Sequence, residues 1–99
     1  MEKTLDFKME VKLSDFFQAL SDNTRIKIIY LLKSGELSVG EITQQLDITQ
    51  SAVSHQLRVL RNVNLVSFEK KGKLVYYQLA DQHVNSIIDQ AIEHIEHGG

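Results

Sequence analysis

Apolar residues recur at helical spacing over most of this chain and alternate at strand spacing over one short stretch. Met9, Leu13, Phe16, Phe17 and Leu20 form a three-and-four stripe that predicts a first helix over about residues 8–20. Ser21 or Asp22 is placed to cap a second helix, in which Ile26, Ile29 and either Leu31 or Leu32 face inward, ending near Gly35. Ser38-Val39-Gly40-Glu41 has the spacing of a capping box and starts a short third helix that runs to about Leu46. Asp47-Ile48-Thr49 is a tight connection, and Thr49 caps a fourth helix over about residues 50–62 with Val53, Leu57 and Leu60 on its buried face. Residues 65–70 and 73–79 alternate and are rich in β-branched and aromatic side chains, so they predict two strands joined at a Lys71-Gly72 turn. A fifth helix over residues 82–97 carries Val84, Ile87, Ile88, Ala91, Ile92 and Ile95 on one side. A short helix, a tight turn, a longer helix and a β-ribbon in this order make the layout of a winged helix-turn-helix: a mainly α fold with a β-hairpin, one domain over residues 1–99, without repeats or linkers.

Composition narrows the class. A domain of 99 residues is marginal alone, so burial across a homodimer interface would help it. The absence of cysteine rules out disulfides and thiolate metal sites and fits a reducing cytoplasm. No apolar run approaches the ~20 residues needed to span a bilayer. Residues 1–10 carry Glu2, Asp6 and Glu10 and have no signal-peptide pattern. The expectation is a cytoplasmic chain with no membrane partner.

A net charge of −2 argues against nucleic acid until its distribution is considered. Arg58, Arg61, Lys70, Lys71 and Lys73 face only Glu69 over residues 50–73, whereas Asp81, Asp89, Glu93 and Glu96 stand without any Lys or Arg over residues 81–97. In a helix-turn-helix the start of the second helix meets base edges. Here that segment offers Gln50, Ser51, Ser54 and His55, all hydrogen-bonding, and its helix holds no acidic residue. Arg58, Arg61, Lys70, Lys71 and Lys73 suit phosphates, which position a protein without reading sequence. The same residues would also be ordinary for a solvated surface. Ser54-His55 is not a nucleophile and its base, because neighbours on a helix point about 100° apart. No third catalytic partner is in evidence, and the chain does not read as an enzyme.

The most specific chemistry lies at the C-terminal end. Asp81, His83, His94 and His97 form D-x-H, ten residues, H-x-x-H on one helix, and all are zinc-ligand types in the number a closed tetrahedral site takes. His83 and His94 are separated by ~16 Å along a helix at ~1.5 Å per residue, too far to share a metal, although both point from nearly the same face. A second copy of the helix, running antiparallel about a two-fold near Ile88 and Asp89, sets each Asp81/His83 pair beside the other chain's His94/His97 pair. Two other roles stay open from the residues alone: Asp81 as an N-cap, and His94 and His97 as favourable partners of the helix dipole. With four protein ligands there is no open position for an activated water, which also weighs against a zinc hydrolase.

Ala19-Leu20-Ser21-Asp22-Asn23-Thr24-Arg25, Leu37-Ser38-Val39-Gly40-Glu41-Ile42 and Gln50-Ser51-Ala52-Val53-Ser54-His55-Gln56-Leu57 resemble the signature segments of the ArsR/SmtB family of transcriptional repressors. Asp81, His83, His94 and His97 fall on all four ligand positions of its subgroup with a zinc site on the fifth helix. The resemblance implies a repressor that binds double-stranded operator DNA as an apo homodimer and is released by Zn(II), controlling metal-efflux genes. It also implies dimerisation through the first and fifth helices, with Val84, Ile87, Ile88, Ala91, Ile92 and Ile95 at the interface. Family members that sense softer metals use cysteines, which this chain lacks; no histidine precedes His55, which argues against a nickel site completed by the N-terminal arm. Zinc is favoured, with Co(II) second because it accepts similar donors. A bond from His94 toward Val63 or Asn64, at the end of the recognition helix, is the expected relay between the sites.

Overall fold

Capping chemistry sets almost every boundary in the computed structural model, which describes residues 4–98. The single-domain reading of 1–99 therefore includes residues 1–3 and 99, which lie outside the described residues. Helix α1 (Phe7–Ala19) starts where the Asp6 carboxylate accepts the Lys8 N–H at 2.9 Å. Helix α2 (Asn23–Leu32) is capped by Asp22, which accepts the Arg25 N–H at 3.1 Å; Ser21 instead donates to Gln18 O at the end of α1. A two-residue strand, β1 (Leu37–Ser38), leads into α3 (Val39–Leu46). The capping box there is complete: the Glu41 N–H donates to Ser38 Oγ at 3.2 Å and the Ser38 N–H donates to Glu41 Oε1 at 2.9 Å. Helix α4 (Gln50–Asn62) follows Thr49, whose Oγ1 accepts the Ala52 N–H at 3.1 Å.

Helix α4 ends in a Schellman arrangement. The Leu65 N–H donates to Leu60 O at 2.9 Å and the Asn64 N–H to Arg61 O at 3.0 Å, with Asn64 left-handed at φ 60° in the position glycine usually takes. Leu65 thereby drops into the core beside Leu60. The chain continues as β2 (Val66–Lys71), β3 (Leu74–Leu79) and α5 (Gln82–Glu96). The hairpin register pairs Lys71 with Leu74, so the turn is Gly72-Lys73 rather than Lys71-Gly72. Gly72 supplies the positive φ, 64°, at the first turn position. The antiparallel sheet has the order β1-β3-β2, with Leu37 opposite Tyr77. Strand β1 was not expected; two residues are too few to show alternation.

Ile28, Ile29, Ile42, Val53, Leu57, Leu60 and Leu65 are fully buried and fasten α2, α3 and α4 into one core under the sheet. Ile26 is exposed and Ile28 takes its place, because the inward arc of α2 runs through residues 28, 29 and 32. The expected stripe of α1 splits. Phe16 and Leu20 pack on the core, while Met9, Leu13 and Phe17 stay open to solvent. Along with Phe7 and Val11 on α1 and Ile87 and Ile95 on α5, they leave a broad apolar face on the single chain. A cavity of about 520 Å³ lies in this face between α1, the end of α4 and α5. Lys33, at the end of α2, fastens α5 by donating to Asn85 Oδ1 at 2.7 Å and by pairing with Asp89.

Candidate metal centre and nucleic-acid interface

Helix α4 presents Gln50, Ser51, His55, Arg58 and Arg61 to solvent, with Ser54 half-buried, while Val53, Leu57 and Leu60 hold its opposite side in the core. Its first two turns carry the candidate base readers, and the Thr49 cap keeps the first of them formed. The five basic residues are not equivalent. Arg61 lies over the Phe68 ring, 4.6 Å from the centroid, and Phe68 packs in turn, tilted by 46°, against Tyr77. Lys71 is bonded to Glu36 at 2.5 Å, has Glu69 at 4.0 Å and lies over Tyr76. The hydrogen bond to Glu36 leads the effects that raise the Lys71 pKa, and Glu69 adds to it. Among the described residues Arg58, Lys70 and Lys73 have no such partner. Arg61 and Lys71 therefore already brace the hairpin, which charge counting along the sequence does not show.

Arg25, on α2, makes bonds that its place in the sequence does not foretell. Its Nε–H donates to the Ala19 carbonyl at 2.6 Å and its Nη1–H to Gln56 Oε1 at 2.8 Å. Gln56 follows the candidate readers Gln50, Ser51, Ser54 and His55 on α4, yet its amide oxygen is committed to Arg25.

The four candidate ligands form two separate pairs at the two ends of α5. Asp81 Oδ1 accepts the His83 N–H at 2.9 Å and the Val84 N–H at 3.2 Å, so Asp81 is the N-cap. These bonds, Val84's foremost, hold its carboxyl below the ordinary carboxylate range. Oδ2 takes no hydrogen bond among the described residues and remains a free donor atom. His83 Nδ1 is 3.4 Å from Asp81 Oδ1, and the side chain is 91% exposed. At the other end His94 and His97 line a shallow hollow with Gln90 and Glu93. Glu93, outside the D-x-H and H-x-x-H pattern, is thus a further carboxylate beside the pair. No group of three or more His, Cys, Asp or Glu side chains in the described residues is close enough to hold a metal within one chain. The donors are nitrogen and carboxylate oxygen, suited in type to zinc, but each pair needs two more ligands from elsewhere.

The bond expected from a metal-ligating His94 toward Val63 or Asn64 stays an expectation for the dimer; among the described residues of the single chain His94 makes no side-chain hydrogen bond to either. Those two residues line the apolar cavity with Ile87, while His94 lies in the separate hollow. Of the apolar residues expected at a dimer interface, Val84 is only 5% exposed and belongs to the chain's own core, with Ile88 packed against it. Ile87, Ala91 and Ile95, four residues apart in turn, form the outward stripe, and Ile92 is half-buried.

Residues 22–67 match the profile of the bacterial regulatory proteins of the arsR family. The HTH-type transcriptional regulator NmtR of Mycobacterium tuberculosis is 41% identical over 93 residues, a match covering 94% of this chain and 78% of that protein. The cadmium resistance transcriptional regulatory protein CadC homolog of Staphylococcus aureus is 38% identical over 94 residues, with the same two shares, 94% and 78%. Among solved structures, a homodimeric winged helix-turn-helix DNA-binding domain from Mycobacterium bovis superimposes with a TM-score of 0.80 at 27% identity, covering 98% of this chain and 95% of that one. No described helix is long and apolar enough to cross a membrane.

Proposed function

The chain belongs to the arsR family of bacterial regulatory proteins and is a winged helix-turn-helix transcriptional regulator, not an enzyme; from that premise we propose that it is a cytoplasmic, zinc-responsive repressor, a homodimer that binds operator DNA and loses affinity for it when Zn(II) binds between the fifth helices. One observation carries this reading. Asp81-x-His83 and His94-x-x-His97 stand exposed at opposite ends of a helix whose outward stripe, Ile87, Ala91 and Ile95, stays open to solvent, Ile95 at 68% and Ile87 at 40%. Covering that stripe with an antiparallel copy brings each half-set of donors to its complement. Asp81 and His83 of one chain, with His94 and His97 of the other, would hold the metal, which supplies a fixed four-point link between the two helices.

Asp81 contributes through Oδ2 while Oδ1 keeps capping α5, so ligation does not cost the helix its start. The linked pair of α5 helices sets the separation of the two α4 helices, and two half-sites on DNA demand a separation of ~34–36 Å or a multiple. A signal of this kind must bind the two dimer conformations unequally. Its coupling is typically ~1–3 kcal/mol, and DNA weakens metal binding by the same factor. The relative from Staphylococcus aureus is named for cadmium, but this chain offers no thiolate, and its imidazole and carboxylate donors favour zinc, with Co(II) next.

Zinc titration of the dimer, followed by native mass spectrometry and by gel shift on the DNA upstream of its own gene, tests the reading. Two zinc ions per dimer and weaker DNA binding at stoichiometric metal are expected. A tight site in a verified monomer, or DNA affinity indifferent to zinc, would refute it.

A further inference from the structure

We propose that Arg25 is a positioning residue for DNA reading: through Gln56 it holds the recognition helix α4 at a set angle to the end of α1. This rests on the reading of α4 as the DNA-reading helix. One half-buried guanidinium on α2 joins three helices. Its Nε–H satisfies the Ala19 carbonyl, one of the acceptors a helix leaves open at its C-terminal end, at 2.6 Å. Its Nη1–H reaches 31 residues along the chain to Gln56 Oε1 at 2.8 Å. The guanidinium is planar and its donors are fixed relative to one another, so the two bonds define direction as well as distance. An ammonium in its place would be a point charge without that geometry.

The two helices so joined have different tasks. Helix α1 bears the uncovered apolar face, with Phe7, Met9 and Phe17 open to solvent, whereas α4 bears Gln50 and Ser54. Gln50 and Gln56 are both chemically able to make paired bonds to adenine. Gln50 is exposed and engaged by no side chain among the described residues, while Gln56 has its oxygen held by Arg25. Gln56 therefore does not read a base; it is the handle by which α4 is held. In a dimer an error in that angle occurs at both half-sites, so it weakens base contacts twice while leaving the phosphate-contacting side chains in number as they were.

The test uses the full chain, freed of metal with chelator, and a duplex that the wild type selects from a randomised pool. Affinity is measured by fluorescence anisotropy over a range of salt for Arg25→Lys, Arg25→Gln, Gln56→Met and the Arg25→Gln/Gln56→Met double variant. Each single change is expected to weaken binding by at least about tenfold, the lower bound for loss of a hydrogen bond to a charged group. The double variant is expected to be no weaker than the weaker single, because both changes break the same link. Arg25→Lys should fail to rescue. The slope of log affinity against log salt should not change; were Arg25 itself a phosphate contact, Arg25→Gln would lower the slope by ~0.9 per site, ~1.8 per dimer. Zinc affinity should stay at the wild-type value. Gln56→Met leaves the bond to Ala19 in place, so it carries the test alone if the Arg25 variants do not fold. Wild-type affinity in Gln56→Met, additive losses in the double variant, or a lowered salt slope in Arg25→Gln overturns the proposal. A wild type that selects no duplex refutes the DNA-reading assignment itself, and this proposal with it.

Discussion

Replacing Ile95 by alanine separates burial within one chain from burial between chains. Ile95 is 68% exposed on α5 and lies two turns beyond Ile87, which is 40% exposed. Burying an isoleucine side chain contributes about 1.5–3 kcal/mol. Covering the open two thirds of Ile95 in a dimer then contributes roughly 1–2 kcal/mol per chain, and two-fold symmetry counts it twice. Ile95→Ala should therefore weaken dimerisation by about 2–4 kcal/mol, a factor of roughly 30 to 1,000 in dissociation constant. The helix itself should not suffer, because alanine is the better helix former. Sedimentation equilibrium over a wide concentration range reads the dimer constant, and thermal denaturation at low concentration reads the monomer. If zinc binds between the chains as proposed, its affinity should weaken in parallel as the dimer dissociates. Val84→Ala is the contrast: at 5% exposure it sits in the chain's own core. Losing two buried methyl groups should cost the fold about 1–3 kcal/mol and move the dimer constant far less. An Ile95→Ala protein with wild-type dimerisation would sink the assignment of this stripe to the interface.

Asp81→Asn should keep the N-cap, since asparagine caps as well as aspartate, yet lose the carboxylate ligand. Zinc affinity should fall by more than about 10- to 100-fold, the loss typical of removing even an outer-shell partner, with helix content unchanged; equal zinc affinity in a chelator competition would leave Asp81 as a cap alone. The lowered Asp81 pKa also has a sign. A carboxyl depressed in the folded state stabilises it above the unfolded carboxylate value of ~3.9 and loses that contribution as pH falls through the lower folded value. Acid titration followed by circular dichroism should show α5 fraying in that window in the wild type and not in Asp81→Asn. Gln50→Ala and Ser54→Ala should each weaken operator binding with and without zinc while leaving metal affinity intact. His94→Ala should retain apo DNA binding and lose the response to metal. His97→Ala should be impaired less completely, because His97 is the C-cap beyond the last turn of α5 and Glu96 stands beside it as a substitute donor; gel shifts with zinc and with chelator compare the set.

Local rules were legible in the sequence wherever the cause was local. Thr49, Asp81 and the Ser38/Glu41 box each act within three residues, and each stands where its spacing predicts. Periodicity reports that a helix face is covered but not what covers it. On α4 the covering is the chain's own core, so Val53, Leu57 and Leu60 were readable without error. On α1 and α5 the apolar face exceeds what one chain conceals, so the pattern alone does not say which part is core. Val84 and Ile87 are three residues apart, and about 300° of rotation separates an inward side chain from one on the rim. No count of apolar residues distinguishes the two; only the position of β3 and α2 against α5 does. The same holds for charge. Lys71 and Lys70 are adjacent and chemically alike, but strand alternation turns one toward Glu36, more than 30 residues away, and leaves the other in solvent. The long-range bonds of Arg25, Lys33 and Lys71 are thus the part of the site that folding adds. They join the two recognisable motifs, the helix-turn-helix and the histidine-bearing α5, into a single body.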